Sequence, residues 1–152
     1  LALLLINKGF VWRSVHKTLP ILVYANIYKM RDIYRSEEVT KAYENHKKSG
    51  IMQNACVLCV RKPVKGFSYW KIIPNHFPYD LIAELHEMLV PIRHTSERGL
   101  NEEEKAELLE IKEKYLGKYN FVAAATTSTH SIPEHFHLHL IVGKQLEDGN
   151  LS

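Results

Sequence analysis

The sequence predicts an α+β domain: an antiparallel sheet of about five strands with one long helix, plus a partly helical N-terminal extension. Three observations carry that prediction. Short runs of aromatic and β-branched residues are separated by turn formers, which is strand spacing. A single long capped helix, from Asn101 to Gly117, lies among them. Finally, in His135-Phe136-His137-Leu138-His139-Leu140-Ile141-Val142 imidazole and apolar side chains alternate from His135 to Leu140. In a strand this puts all three histidines on one face, about 6.5–7 Å apart, with Phe136, Leu138 and Leu140 facing a core.

Residues 1–50 read as the extension, 51–145 as the main domain and 146–152 as a polar tail. The opening run Leu1-Ala2-Leu3-Leu4-Leu5-Ile6 is too short to span a bilayer or to serve as a signal-peptide core. Leu19 to Tyr34 is aromatic-rich and fits helix or strand. Ser36 caps a short helix, with Glu37 and Glu38 in its first turn and a stripe of Val39, Ala42, Tyr43 and His46. Gly50 closes it.

Phe67 to Pro74 reads as a strand. Asp80 to Leu85 has the spacing of a short helical turn, and Met88-Leu89-Val90 that of a brief strand ended by Pro91. Asn101 caps the long helix, with Glu104 completing a capping box. Leu108, Ile111 and Tyr115 form its apolar face. Tyr119 to Thr127 is the next strand, and a Ser/Thr loop with Pro133 leads to the histidine strand.

At 152 residues, 45% hydrophobic and 24% charged, the chain is sized for one globular domain. A net charge of +3 without a Lys/Arg block argues against duplex nucleic acid as a partner, and suits a small anionic ligand. No targeting segment is visible, so no membrane association is expected and the cytoplasm is the expected compartment. In such a reducing compartment Cys56-Val57-Leu58-Cys59 reads as a metal half-site or a redox pair before a structural disulfide. The pair lacks the βαβ setting of a redox motif. Imidazole can serve as nucleophile, proton donor or metal ligand, so a strand face spent on histidine points to chemistry rather than packing. The plain alternative is a solvated polar face.

These residues resemble the histidine triad family. His135-Phe136-His137-Leu138-His139-Leu140-Ile141 fits the family's His-φ-His-φ-His-φ-φ signature. His86-Glu87-Met88-Leu89-Val90-Pro91-Ile92-Arg93-His94 is similar to its His-x-φ-φ-φ-Pro-x-x-His segment. Asn75-His76-Phe77-Pro78-Tyr79 resembles the Asn-x-φ-Pro-Tyr turn before it. The order of these segments around the long helix is also the family's, and the likeness spans about residues 55–143. The chain departs from the pattern in two places. About three additional residues fall within Leu81–Leu85. The loop Thr126–Glu134, which handles phosphate and leaving group in relatives, contains neither glycine nor glutamine. The third histidine, lost in the uridylyltransferase branch, is kept, so the resemblance is to the hydrolase branches.

The resemblance implies a structural zinc held by Cys56, Cys59, His94 and His135, with His76 as a rival fourth ligand. Two free buried cysteines are the plain alternative. It implies His137 as the nucleophile attacking an α-phosphate, His139 as a donor to a phosphate oxygen, and His86 as a buttress. Asn75 would hold ribose hydroxyls and Ser131 would reach the leaving group or a phosphate oxygen. Ile72, Ile73, Phe77 and Leu89 are base-pocket candidates, each also suited to plain core. His16, His46, His76 and His130 carry no spacing argument. The implied protein is a homodimeric nucleotide hydrolase or nucleotidyl transferase acting on a small-molecule nucleotide. The alternatives are a catalytically silent nucleotide-binding module and a zinc-stabilised interaction domain.

Overall fold

A computed structural model describes residues 33–49, 56–126 and 131–145. The expectations for residues 1–32, for His130 and for the tail 146–152 fall outside these. The architecture is mixed α+β. Helix α1 (Glu37–Lys48) and the short α2 (Val57–Val60) precede strands β1 (Lys65–Gly66), β2 (Trp70–Pro74) and β3 (Ala83–Pro91). Helix α3 (Glu102–Lys114) then leads to β4 (Phe121–Ala123) and β5 (Leu138–Gly143). The strands form one open antiparallel sheet in the order β1-β2-β3-β5-β4.

Sequence chemistry accounts for the helix ends. The Ser36 hydroxyl accepts from the Val39 N–H at 3.3 Å, starting α1. Asn101 Oδ1 accepts from the Glu104 N–H, and Glu104 Oε2 accepts from the Asn101 N–H, both at 2.8 Å, which closes the expected capping box. Glu104 is buried and does more than cap. Its carboxylate takes two hydrogen bonds from Arg93, at 2.9 and 2.7 Å, and its carbonyl accepts from the Trp70 indole at 2.8 Å. The Arg93 guanidinium holds the Glu104 carboxyl below the usual carboxylate range. Helix α3 is thereby fastened to the end of β3, where Pro91 and His94 lie.

The sheet has two unlike faces. Ile72, Leu89, Leu138 and Leu140 pack with Trp70, Phe136 and Ile111 of α3 into the main core. Ile73, Met88 and Val90 face the other way, beside Leu58 and Ile132. The pairing Met88 with His139 sets the register that puts histidine on this second face.

Two expectations are corrected. Asp80–Leu85 is a helical turn only in its first half: residues 80–82 make a single turn, closed by the Ile82 and Ala83 N–H groups on Tyr79 O, and the chain enters β3 at Ala83, where pairing with β5 captures residues whose local spacing favoured a helix. The histidine run is not strand throughout. Regular pairing begins at Leu138; His135 lies in a bend, and Phe136 and His137 lead into the strand outside the ladder. The Phe136 N–H donates to Thr95 O at 2.7 Å, so the alternation of faces survives without a ladder. Residues of α1 belong to the same compact unit as the sheet.

Leu89 is fully buried between β2 and β5, whereas Leu109 on α3 is 62% exposed. Leu89→Ala is expected to lower unfolding free energy by about 3 kcal/mol in urea melts, and Leu109→Ala by less than about 0.5 kcal/mol.

Candidate functional site

Four of the sequence-predicted residues converge at the start of the histidine run. The ligand atoms of Cys56, Cys59, His94 and His135 all lie within 4.8 Å of one another. Cys56 Sγ is 3.2 Å from His135 Nδ1, and Cys59 Sγ is 3.4 Å from both His135 Nδ1 and His94 Nδ1. Ligands of a tetrahedral centre with ordinary metal–sulfur and metal–nitrogen bonds stand about 3.5 Å apart, so the group is dimensioned to hold a metal ion. Helix α2 positions both sulfurs: Cys56 caps it and Cys59 sits in its single turn.

Proton placement agrees. His135 is fully buried, and its Nε2–H donates to Pro91 O at 2.9 Å. That bond fixes the tautomer with the lone pair on Nδ1, toward the two sulfurs. Burial, partly opposed by this bond, holds His135 below the ordinary histidine pKa and keeps it neutral, as a ligand must be. Burial and the adjacent Cys56 raise the Cys59 thiol, while Lys71 opposes them. Lys71 is itself buried and donates to Cys59 O at 2.8 Å and Arg61 O at 3.1 Å. It ties the end of α2 to β2 and places a cation next to the sulfurs. His76, the rival ligand, is exposed and outside the cluster.

Further along the same strand, His137 and His139 line a cleft together with Asn75, Phe77, Met88, Ser131 and Ile132. Their rings lie 5.3 Å apart, nearly perpendicular. His137 Nδ1–H donates to His135 O at 2.9 Å, which puts its lone pair on Nε2. His139 has the opposite polarity, and a chain of hydrogen bonds dictates it. The Tyr79 N–H donates to His86 Nδ1 at 2.9 Å. A neutral imidazole accepting at Nδ1 carries its proton on Nε2, and that proton points to His139 Nδ1 at 2.9 Å. His139 therefore carries its own proton on Nε2. Burial, reinforced by the Arg35 charge, pushes His86 down to about 4 and keeps this relay neutral.

Asn75 Oδ1 accepts from the Phe77 N–H at 3.0 Å, forming the turn, while Nδ2 lies 3.2 Å from His86 Nε2. Ser131 is exposed at the cleft. Two base-pocket candidates are corrected: Ile72 and Leu89 face the α3 core, on the other side of the sheet. Ile73 lies on the histidine side, and Phe77 lines the cleft.

Sequence reasoning missed four residues. Tyr79 stacks on His139 at 5.3 Å and packs at a tilt against His86 at 4.4 Å. Arg35, Arg61 and Lys71 sit against the site without belonging to a repeated spacing. The available signals were Tyr79 at the end of the Asn75–Tyr79 turn and Arg61 two residues after the Cys-x-x-Cys pair.

No family model matches the chain, and no curated protein matches it. Among the described residues no helix is long and apolar enough to cross a membrane.

Two outcomes are expected. Cobalt titration of the chelator-treated protein should give the intense visible bands of a tetrahedral thiolate site. Cys59→Ser should abolish them, and Lys71→Met should weaken the affinity about tenfold. Separately, His86 is charged below about pH 6.5 when unfolded and only below about 4 when folded. Its contribution is therefore lost as pH falls from 6.5 toward 4, by up to about 3 kcal/mol. Chemical denaturation of wild type and His86→Gln across that range should show a steeper decline in the wild type.

Proposed function

We propose that the chain is a histidine-triad nucleotide hydrolase or nucleotidyl transferase that works through a nucleotidyl-histidine intermediate on His137. The observation that carries this reading is the opposite polarity of two histidines in one cleft: a lone pair on His137 Nε2 and a proton on His139 Nε2. Displacement at phosphorus needs both, a nucleophilic nitrogen and a donor for the oxygen charge that builds as the nitrogen attacks.

In the proposed reaction His137 Nε2 bonds to the α-phosphorus, and the phosphorus–heteroatom bond breaks with its electron pair leaving on the heteroatom. His139 Nε2–H donates to a non-bridging oxygen. His86 is a positioning residue that keeps this proton on the cleft side of the His139 ring. Ser131 and Asn75 line the same cleft, and in this reading Ser131 donates to the leaving group and Asn75 holds a ribose hydroxyl. Water then attacks phosphorus, the nitrogen–phosphorus bond breaks and nucleoside monophosphate departs. Transfer to another acceptor would follow the same second step.

Zinc is the metal that suits the Cys2His2 set best, since four protein ligands make a closed, structural site. Its role here is to pin the approach to β5, and with it the carbonyl of His135 that orients His137. Free thiols at Cys56 and Cys59 suit a reducing, cytoplasmic setting. A homodimer remains part of the reading. Edge strand β4 leaves Phe121 and Val122 half-exposed beside α3, a surface suited to pairing.

The test is mass spectrometry, intact and after proteolysis, following brief incubation with adenosine phosphoramidate or diadenosine polyphosphates. An adenylyl adduct on His137, absent in His137→Ala and accompanied by AMP release, is the expected result. Nucleotide retained equally by both proteins with neither adduct nor AMP would replace the enzyme by a binding module.

A further inference from the structure

The histidines supply only part of the cleft lining. Arg35, Tyr43 and His46 from α1 and the residue ahead of its cap, with Arg61 just beyond α2, line the same cleft. None of the described residues lining it is acidic. Arg61 makes one hydrogen bond, from Nη1 to Pro74 O at 3.2 Å, and among the described residues no carboxylate pairs with it. Arg35 is held in place by aromatic rings on two sides. Its guanidinium lies 4.9 Å from the Tyr43 ring centroid and 4.6 Å from that of Tyr79, and its Nε–H donates to Phe77 O at 2.9 Å. The His46 ring packs on Phe77 at 5.1 Å, and its Nε2 is buried with no hydrogen-bond partner. The field of these groups is felt next door. Burial first, and then the charge of Arg61, push His76 below its ordinary pKa.

The Arg61 guanidinium, partly desolvated and with no carboxylate on it among the described residues, lies in an unfavourable state that an incoming anion relieves. Guanidinium forks match the oxygens of a phosphate, and a buried imidazole nitrogen adds a further donor when protonated. We propose that Arg35, His46 and Arg61 form an anion subsite that seats a second phosphate of the substrate, on the leaving-group side of the one His137 attacks. The inference rests on the nucleotide reading above. It makes helix α1, which lies outside every histidine motif, a specificity element. The preferred substrate class carries an anionic phosphorylated leaving group rather than a neutral amine.

Calorimetric titration of the full chain with AMP, α,β-methylene ADP and inorganic pyrophosphate tests it. In the wild type the methylene diphosphate is expected to bind at least tenfold more tightly than AMP. In Arg61→Gln that advantage should shrink to threefold or less, with AMP affinity changed by less than threefold. Arg35→Gln should behave alike. Since it also removes the stack on Tyr43 and Tyr79, its melting curve is recorded beside that of Arg61→Gln, which gives up one backbone hydrogen bond. Equal affinity of the wild type for AMP and the diphosphate, or a full preference kept in Arg61→Gln, overturns the subsite. If neither nucleotide binds the wild type, the nucleotide reading fails and pyrophosphate decides the anion subsite alone. Pyrophosphate bound by the wild type and lost in Arg61→Gln upholds it. Pyrophosphate left unbound by the wild type, or bound equally by the variant, overturns it.

Discussion

The buried imidazole of His135 joins the two halves of this structure. Its Nε2–H bonds to Pro91 O at the end of β3, and its Nδ1 faces the sulfurs carried by α2. Its own carbonyl accepts from His137. One residue thus connects the α2 knuckle, the central strand pair and the first ring of the cleft. Arg93 and Glu104 reinforce the same junction from the α3 side, fixing the segment that holds His94. A metal bound by the four ligands would tighten a joint that hydrogen bonds already define.

The division of the sheet into an apolar face and a histidine face follows from elementary periodicity. Phe136, Leu138 and Leu140 go to the α3 core, and the intervening histidines go to the other side. A slip of β5 by one residue would exchange the two sets. The apolar set opposes that exchange, since it would lose its burial against Trp70, Ile72 and Ile111. The energetics of the core therefore hold the register of the cleft, although no core side chain touches it from that face.

Much of this was legible in the sequence because it is local. The alternation at 135–140, the Asn101–Glu104 capping box and the Ser36 cap are each decided by neighbours within a few residues. Bringing Cys56 and Cys59 to His94 and His135 required the resemblance, because nothing local draws residues so distant in sequence together. The second half of Asp80–Leu85 was misread because its helical spacing was outweighed by pairing with β5, a partner more than fifty residues away. Ile72 and Leu89 stayed open between base pocket and plain core, and proved core, because apolar character alone does not say which side of a two-sided sheet a residue serves. Arg35 and Tyr79 escaped for a third reason. Their importance lies in stacking against each other and against His139 across the fold, and such contacts leave no periodic trace.

The proton pattern of the cleft has one further consequence. The same side chain occurs three times along one stretch, and the backbone settles which ring nitrogen carries each proton: Nε2 in His135 through Pro91 O, Nδ1 in His137 through His135 O, and Nε2 in His139 through His86, itself set by the Tyr79 N–H. Apart from the His86 ring, which passes on the Tyr79 instruction, the instructing atoms belong to the main chain. Scanning mutagenesis leaves them in place and so reports only the residues that receive the instructions. The information that sets His137 apart from the histidines on either side is written largely in the course of the backbone, where amide-to-ester replacement can reach the one N–H donor and shifts of a strand can move the carbonyls.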